Sequence, residues 1–524
     1  MSMRITKRGF LAAGTALGLI PDIALAEAKP APLAREVSGP WQFREAGLGE
    51  WLAATVPGTV HTDLLANGKI PDPFYRTNER DLQWIDKKDW EYRTTLTLDA
   101  AALAHTHLEL CFDGLDTCAD VFLNDMPVLT ADNMFRRWTA DIKPHARTGA
   151  NALRVLFHSP VKEGLKRLRA AGYPLPAVDD WSEIGGLGDT KISMMLRKAA
   201  YHYGWDWGPR FVTSGIWRKV SLRAWSGARI ADLTIVQNKV TAAKADLTAR
   251  FEIVADQAGP AVIALTSPTD PAVGARANIQ LKPGLNIGET HVSIAKPKLW
   301  WSNGLGEPHL YEFTGRLATA NAGDHAHVTA GLRTIRLAQK PDADGASFNV
   351  ELNGVPVFMK GANYIPNDNF LPRVTPAIYE RRVRSAADTH MNMLRVWGGG
   401  IYEDDVFYDL CDRHGILVWQ EFAFACLMYP GDPEFLDNVR AEAVDNIRRL
   451  RNHACIALWV GNNEIDTAWQ NDVPDGGWGW KQEYNQAQRD QLWATYKTIF
   501  YHILPDAAAA NDPSRFYWPS SPLA

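Results

Sequence analysis

The sequence predicts a multidomain fold: an N-terminal jelly-roll β-sandwich, an immunoglobulin-like β-sandwich and an incomplete (β/α)8 TIM barrel. The chain has 524 residues, which is too many for a single hydrophobic core. Its first part consists of short strand-like runs separated by turn residues. From residue 339 onwards strands alternate with helices, a pattern typical of a parallel sheet. These three observations define the fold class.

Two all-β regions come first. In residues 38–225, runs such as Tyr92–Leu98 and His107–Phe112 alternate between apolar and polar side chains, as in a half-buried antiparallel sheet. Many such strands in fewer than 200 residues predict a jelly roll. Residues 226–338 contain evenly spaced strands, and the length of this region suits an immunoglobulin-like sandwich.

Residues 339–524 are predicted to form parallel β/α units. Strands are expected over residues 356–363, 392–397, 416–422, 455–460 and 516–518, with helices over residues 376–389, 404–413, 433–451 and 486–504. Apolar strands of this kind suit a barrel. A complete barrel takes roughly 250 residues. Only 186 remain here, so we expect the barrel to stop as its fifth strand begins.

The N-terminal residues 1–26 are predicted to be an export signal. Arg4, Lys7 and Arg8 form a basic start, an apolar run follows, and Ala24–Ala26 fits a cleavage site. The protein is therefore expected to be exported, either periplasmic or secreted, with no membrane segment after cleavage. Lys7 stands where a twin-arginine signal has arginine, which leaves the export route open.

Charge and cysteine usage exclude several classes of function. A net charge of −5 provides no basic surface for nucleic acid or for a membrane. The five cysteines form no CxxC pair, so buried free thiols are expected rather than disulfides. His105 and His107 alternate on a strand, but no acidic or cysteine partner at ligand spacing accompanies them, which makes a metal site improbable. Nucleotide-binding motifs are absent as well, and no cofactor is predicted.

The sharpest chemical signal is the segment Trp459–Glu464. An apolar strand runs directly into two asparagines and then Glu464. In a parallel barrel the carboxyl ends of the strands carry the active site, so Glu464 is expected at the catalytic rim as a general acid. Asn463 is a candidate for binding a sugar hydroxyl. A helix N-cap after a strand explains the same residues equally well.

Other strand ends add candidates. Arg395 and Trp397 end the second strand, followed by Gly398–Gly400, where backbone can pass close to a ligand. Trp397 is a candidate platform for a sugar ring, and Arg395 could bind a carboxylate or a hydroxyl. Glu421 ends the third strand and could be a second catalytic carboxylate, but we favour it as the structural partner of Arg395.

Outside the barrel, residues 198–210 contain aromatic rings around one carboxylate, Asp206. An aspartate held among indoles can accept hydrogen bonds from neighbouring sugar hydroxyls. We therefore place Asp206 and the adjacent Trp207 in a carbohydrate site. The alternative is an aromatic corner that packs two domains together, and it remains open for most of the rings.

These segments together resemble the β-mannosidase branch of glycoside hydrolase family 2. The resemblance runs from residue 39 to the last residue. It includes the segments 56–64, 88–92, 201–210, 213–217, 299–301, 331–333, 360–363, 395–400 and 461–464. The Asn463–Glu464 pair is common to many retaining glycosidases, whereas the run from Tyr201 to Pro209 is more specific to mannosidases.

The resemblance implies a role for each candidate residue. Glu464 would be the general acid/base, Asn463, Trp397 and Asp206 would bind the terminal mannose, and Arg395 would support the nucleophile. In the family the nucleophile is a second glutamate at the end of strand seven, which this chain lacks. The chain alone is therefore expected to be poorly folded in its last third and hydrolytically inactive, because a retaining mechanism needs two carboxyl groups.

The function predicted in this way is that of a retaining exo-β-mannosidase that removes terminal non-reducing β-D-mannose from oligosaccharides. One alternative is another family 2 glycosidase, such as a β-galactosidase or an exo-glucosaminidase. A second alternative is a non-catalytic carbohydrate-binding protein with a vestigial barrel.

Overall fold

A computed structural model describes residues 32–320 and 322–524. The predicted export signal, residues 1–26, lies outside the described residues and stays a prediction. In the described part, no helix is long and apolar enough to cross a membrane. The cysteines are free thiols, and four of the five are buried, as the sequence predicted.

The N-terminal region is an antiparallel β-sandwich with a few short helices. Its strands are β1 (Leu33–Glu36), β2 (Trp41–Glu45), β3 (Leu52–Ala54), β4 (Trp90–Leu98), β5 (His107–Phe112), β6 (Cys118–Leu123), β7 (Met126–Asp132), β8 (Trp138–Asp141), β9 (Gly149–Phe157) and β10 (Val220–Trp225). Its helices are α1 (Val60–Ala66), α2 (Asn78–Asp81), α3 (Ala100–Ala104) and α4 (Pro160–Ala171).

These strands form two sheets, in the orders β3-β2-β4-β9-β6-β7 and β1-β10-β5-β8. Alternate side chains of β4 and β9 are buried, so the period-two pattern in the sequence marks the core-facing side. Phe43, Tyr92 and Phe157 pack together between the sheets. Strand β1 lies before the predicted boundary at residue 38, yet it pairs with β10 and belongs to the sandwich.

The second region is another antiparallel sandwich. Its strands are β11 (Ala228–Val240), β12 (Lys244–Ala255), β13 (Gly259–Thr266), β14 (Gly274–Leu281), β15 (Gly284–Ala295), β16 (Tyr311–Thr319) and β17 (Gly323–Ala330). They form the sheets β11-β12-β15 and β14-β13-β16-β17 around a separate apolar core. This is the immunoglobulin-like part that the sequence predicted.

The third region contains the alternating strands and helices. Its strands are β18 (Ile335–Ala338), β19 (Asn349–Leu352), β20 (Val355–Val357), β21 (Gly361–Tyr364), β22 (Met393–Val396), β23 (Leu417–Glu421), β24 (Ile456–Val460) and β25 (Phe516–Trp518). Its helices are α5 (Pro376–Asp388), α6 (Asp405–His414), α7 (Pro433–Leu450), α8 (Ile465–Gln470), α9 (Gln486–Lys497) and α10 (Leu504–Asn511).

Two predicted boundaries differ from the structure here. The strand predicted over residues 356–363 is two strands, because β20 pairs antiparallel with β19 whereas β21 pairs parallel with β22. Strand β18 falls inside the range predicted for the second sandwich. It pairs with β19 instead. It therefore belongs to a small three-stranded sheet that precedes the parallel sheet along the chain.

Strands β21 to β25 form one five-stranded parallel sheet in chain order. Helices connect its successive strands, as expected for right-handed β/α units. All residues of β24 are buried, which explains its continuous apolar sequence. The units have the order found in (β/α)8 barrels. An incomplete (β/α)8 barrel, and poor folding of this region in the isolated chain, both stay predictions.

A buried ion pair joins the first sandwich to the third region. Arg197 donates two hydrogen bonds to Glu442 on α7, at 2.7 and 2.8 Å, and both side chains are almost fully buried. Glu442 also accepts hydrogen bonds from Asn133 and Tyr402. Arg197 lies over the ring of Phe424 at 3.9 Å. The two regions therefore meet through a satisfied polar network rather than an apolar surface alone.

The same interface contains a buried acid whose titration affects stability. Glu403 accepts a hydrogen bond from Tyr379, and burial raises the pKa of Glu403 from 4.5 to about 7. In this pH range the folded chain keeps a proton that the unfolded chain has released. The free energy of unfolding therefore falls as the pH rises from 4.5 to about 7.

Glu403→Gln removes this titration. We expect the variant to gain stability relative to the original protein as the pH rises, by at most about 3 kcal/mol above pH 7. Urea unfolding at about pH 5 and about pH 8 measures the difference. Glu380→Gln, at an exposed carboxyl on α5, is the control. The same pH dependence in Glu403→Gln and the original protein would contradict the assignment.

Candidate active site

Polar side chains from four neighbouring strand ends form one hydrogen-bonded row. Arg395, at the end of β22, donates to Asn363 of β21 at 3.0 Å and to Glu421 of β23 at 2.8 Å. Its third contact is to the Oδ1 atom of Asn463, just after β24, at 2.6 Å. The Nδ2 atom of Asn463 donates in turn to Glu464 at 3.1 Å. The carboxyl ends of the parallel strands thus converge on Glu464.

Glu421 is fully occupied by structural contacts. One of its oxygens accepts from Arg395, and the other accepts the backbone N–H of Gly398 at 2.7 Å. The side chain is buried. This confirms Glu421 as the structural partner of Arg395, which the sequence favoured over a catalytic role.

Glu464 is held in an unusual backbone conformation. Its φ angle is 63°, in the left-handed region that non-glycine residues rarely adopt, and it precedes helix α8. Its backbone N–H donates to Ser521 at 3.1 Å, which links the loop after β24 to the segment after β25. Its Oε2 atom accepts from Asn463 and from the thiol of Cys426 at 3.3 Å. Strained residues held by such contacts cluster at functional sites.

Glu464 is therefore an N-cap residue by position, yet its side chain makes no capping hydrogen bond. The carboxylate instead faces Asn463 and Cys426. Of the two interpretations that the sequence left open, the simple helix cap is the one that these contacts do not support.

The glycines after Trp397 lack a side chain where other parts of the protein pack closely against the backbone. A Cβ atom on Gly399 would lie 1.9 Å from the Trp397 ring, and one on Gly398 would lie 2.4 Å from the carbonyl oxygen of Phe424. These glycines therefore permit the rim to pack closely around Trp397. The sequence predicts close approach to a ligand here, but the atoms that come close to these two glycines belong to the protein.

Asp206 and Trp207 lie at the tip of a tight turn. Trp205 and Gly208 exchange two backbone hydrogen bonds at 3.0 and 3.1 Å, which leaves the two residues between them exposed. The Trp207 ring stacks on Tyr201 at 5.4 Å. The turn belongs to the first sandwich, but its aromatic rings reach the third region.

Contacts between aromatic rings bring this turn to the rim. The Trp397 ring packs edge-on against Trp205 at 4.8 Å and against Trp207 at 5.7 Å. The backbone N–H of Tyr201 also donates to Gly399 at 3.2 Å. Trp207 and Trp397, two of the predicted substrate-binding residues, are thus neighbours, although some 190 residues separate them in sequence. Their roles toward a substrate stay predictions.

Sequence reasoning missed two residues beside Glu464. Cys426, in the loop after β23, contacts both Glu464 and Asn463. Asp179, on a loop of the first sandwich, interacts electrostatically with Asp206 and Glu464. Burial, followed by the charge of Asp206, raises the pKa of Asp179, while Lys191 lowers it. The pair of adjacent aspartates before Trp181 is the feature of the sequence that could have pointed to this loop as part of the site.

One cluster in the described residues has the composition of a metal site. Potential ligand atoms of Asp412, His453 and Cys455 lie within 4.8 Å of one another. However, Asp412 binds the His453 ring at 2.7 Å and the backbone N–H of Cys455 at 2.7 Å. Burial raises the pKa of the Cys455 thiol well above its usual range, which disfavours the thiolate that binds metals. The cluster ties α6 to β24.

Comparison with known families defines the class of protein. A family model described as glycosyl hydrolase 2 galactose-binding domain-like matches residues 41–218. A second model, glycosyl hydrolases family 2, matches residues 228–333. Together they cover more than half of the chain. The chain belongs to glycoside hydrolase family 2.

Within this family the chain is similar to β-mannosidases. Beta-mannosidase B of Emericella nidulans is 38% identical over 92% of this chain and 56% of its own length. The β-mannosidase of Bos taurus is 34% identical over 92% of this chain and 55% of its own length. The chain thus spans slightly more than half the length of these curated relatives.

Among solved structures, the chain is again similar to a β-mannosidase. The crystal structure of a β-D-mannosidase from Dictyoglomus thermophilum superposes with a TM-score of 0.84 and 37% identity, covering 94% of this chain and 58% of that one. An exo-chitosanase of Amycolatopsis orientalis superposes with a TM-score of 0.68 at 19% identity, over 93% of this chain and 53% of that one. At that identity only the fold is shared.

Proposed function

We propose that this chain is part of a retaining exo-β-mannosidase that removes terminal β-D-mannose from the non-reducing end of oligosaccharides. Glu464 is its general acid/base. The observation that carries the proposal is the meeting of the Asp206–Trp207 turn with Trp397 beside the Glu464 row. The β-mannosidase relatives support mannose over galactose or glucosamine.

In the proposed reaction Glu464 protonates the oxygen of the leaving sugar. Asn463, which binds the Glu464 carboxylate and Arg395, orients the acid. Retaining glycosidases need a second carboxylate about 5–5.5 Å away as nucleophile. We propose that this group belongs to a part of the complete protein beyond these 524 residues. Export of the protein, based on residues 1–26, is part of the same proposal.

Trp397 and Trp207 are proposed to form the walls for the terminal mannose. Their indole rings offer apolar faces to the C–H groups of a pyranose, and Asp206 offers two acceptor oxygens to its hydroxyls. Trp207 is 37% exposed and so retains free surface for a ligand, whereas only 7% of Trp397 is exposed. Arg395 supports the site through Glu421 and Asn463.

Asp206→Ala tests the proposal. In the complete enzyme we expect kcat/KM for an aryl β-mannoside to fall about 10- to 100-fold, the size of a lost hydrogen bond to a charged group. The ratio of kcat/KM for the β-mannoside to that for the β-galactoside should fall as well. Glu183→Ala, at an exposed carboxylate on a neighbouring loop, is the control. An enzyme that prefers the galactoside or the glucosaminide would contradict the proposal.

A further inference from the structure

A groove lies between the first sandwich and the loop that precedes α9. It is a cavity of about 620 Å³. Its lining comes from three segments: Tyr173 to Ala177, Asp189 to Lys191, and the residues Trp480, Glu483 and Tyr484. Its volume falls in the range of roughly 300–1,000 Å³ typical of small-molecule sites.

Hydrogen bonds from both regions fix this groove. The Tyr484 hydroxyl donates to the carbonyl oxygen of Pro174 at 3.0 Å, and Lys191 donates to that of Ala177 at 2.9 Å. The rings of Tyr173 and Tyr484 lie edge to face, 6.1 Å apart. The groove is therefore a preformed part of the interface.

Backbone contacts connect the groove lining to the segment that holds Glu464. Ala177 forms a β-bridge with Leu427, and the backbone N–H of Val178 donates to Cys426 at 3.3 Å. The Cys426 thiol contacts Glu464. Asp179, two residues beyond the lining residue Ala177, interacts electrostatically with Glu464 and with Lys191 of the groove. The lining residue Ala177 is therefore linked to Glu464 through Val178, Asp179 and Cys426.

The lining suits a neutral polar ligand with apolar faces. Tyr173 is partly buried and offers a ring, while Arg169, Lys191, Asp189 and Glu483 offer donors and acceptors. Two positive and two negative groups cancel in charge, so neither an anion nor a cation is favoured. A sugar has both C–H faces and hydroxyls, and it matches this combination.

The position of the groove indicates which sugar it takes. A general acid protonates the leaving oxygen, so the leaving sugar lies on the side of Glu464. The groove is lined by the first sandwich and by residues between α8 and α9, a segment that follows Glu464 in the chain, whereas Trp397 and its aromatic neighbours lie at the end of β22. We propose that the groove binds the leaving-group sugars of the oligosaccharide, and this inference rests on the proposed function.

Tyr173→Ala in the complete enzyme tests the inference. The substrates are β-1,4-linked mannotriose and an aryl β-mannoside, whose leaving group is too small to fill the groove. We expect the ratio of kcat/KM for the trisaccharide to that for the aryl mannoside to fall about tenfold, the value of one aromatic contact. Tyr173→Phe keeps the ring and should restore the ratio. Tyr75→Ala, at an exposed tyrosine elsewhere on the sandwich, is the control.

The outcomes separate the two proposals. A Tyr173→Ala variant with an unchanged ratio overturns the groove inference, whether or not its absolute rates fall through partial unfolding. In that case the proposed function stands if the unmodified enzyme cleaves the aryl β-mannoside. An unmodified enzyme that cleaves neither substrate overturns both, because a leaving-group site has no role without the reaction.

Discussion

Glu464→Gln in the complete enzyme is expected to slow the hydrolysis of mannosides with poor leaving groups by about 10²- to 10⁴-fold, the usual contribution of general acid catalysis. Glutamine has nearly the same shape as glutamate, and it can still accept the hydrogen bonds from Asn463 and Cys426. Its amide N–H groups are not acidic enough to transfer a proton to a leaving oxygen. The site should therefore remain assembled while the chemical step fails.

The leaving group decides how large this loss is. A nitrophenolate leaves without protonation, so the formation of the glycosyl–enzyme intermediate from a nitrophenyl β-mannoside should lose far less than the same step with β-1,4-linked mannobiose. Pre-steady-state rates for both substrates measure the difference. Glu434→Gln, at an exposed glutamate in the first turn of α7, is the control. Equal losses on the two substrates would rule out Glu464 as the acid.

Arg197→Ala is expected to destabilise the chain by about 3–5 kcal/mol, because it leaves Glu442 as a buried charge without its partner. Arg197 and Glu442 are 2% and 1% exposed, so water cannot replace the lost interaction. The hydrogen bonds from Asn133 and Tyr402 to Glu442 would remain, but neither carries a positive charge. Because Arg197 belongs to the first sandwich and Glu442 to α7, the loss should loosen the interface between them.

Thermal unfolding and limited proteolysis check this expectation. Cleavage between the first sandwich and the third region should appear in Arg197→Ala at temperatures where the original protein resists the protease. Arg440→Ala, which removes an exposed ion pair with Asp437 on the same helix, should change stability by less than about 1 kcal/mol. Similar effects of the two variants would show that the buried pair does not hold the interface.

Much of the fold could be predicted because it depends on local patterns. The helices from Pro376, Asp405 and Pro433 begin within one residue of the predicted positions, since cap residues and apolar stripes mark them. The strand predicted over residues 356–363 was wrong in one respect. Its residues are all strand-like, but the sequence contains no information on which neighbour each half pairs with.

The site could be predicted only in part, for a similar reason. Glu464, Asn463 and Arg395 were found because each lies at or just after the carboxyl end of an apolar strand that the pattern marks. Asp179 and Cys426 escaped because their importance arises from contacts between distant segments. A loop of the first sandwich reaches the rim through the bridge between Ala177 and Leu427, 250 residues apart, and no periodicity reports such a contact.

The most direct test of the proposed site is a crystal structure of the complete protein carrying Glu464→Gln with β-1,4-linked mannobiose bound. We expect the terminal mannose against Trp397 and Trp207, with Asp206 bound to its hydroxyls. The glycosidic oxygen should lie within hydrogen-bond distance of the residue 464 side chain, and the second sugar should point toward Tyr173. A disaccharide bound elsewhere, or with its glycosidic oxygen turned away from residue 464, would contradict the proposed function.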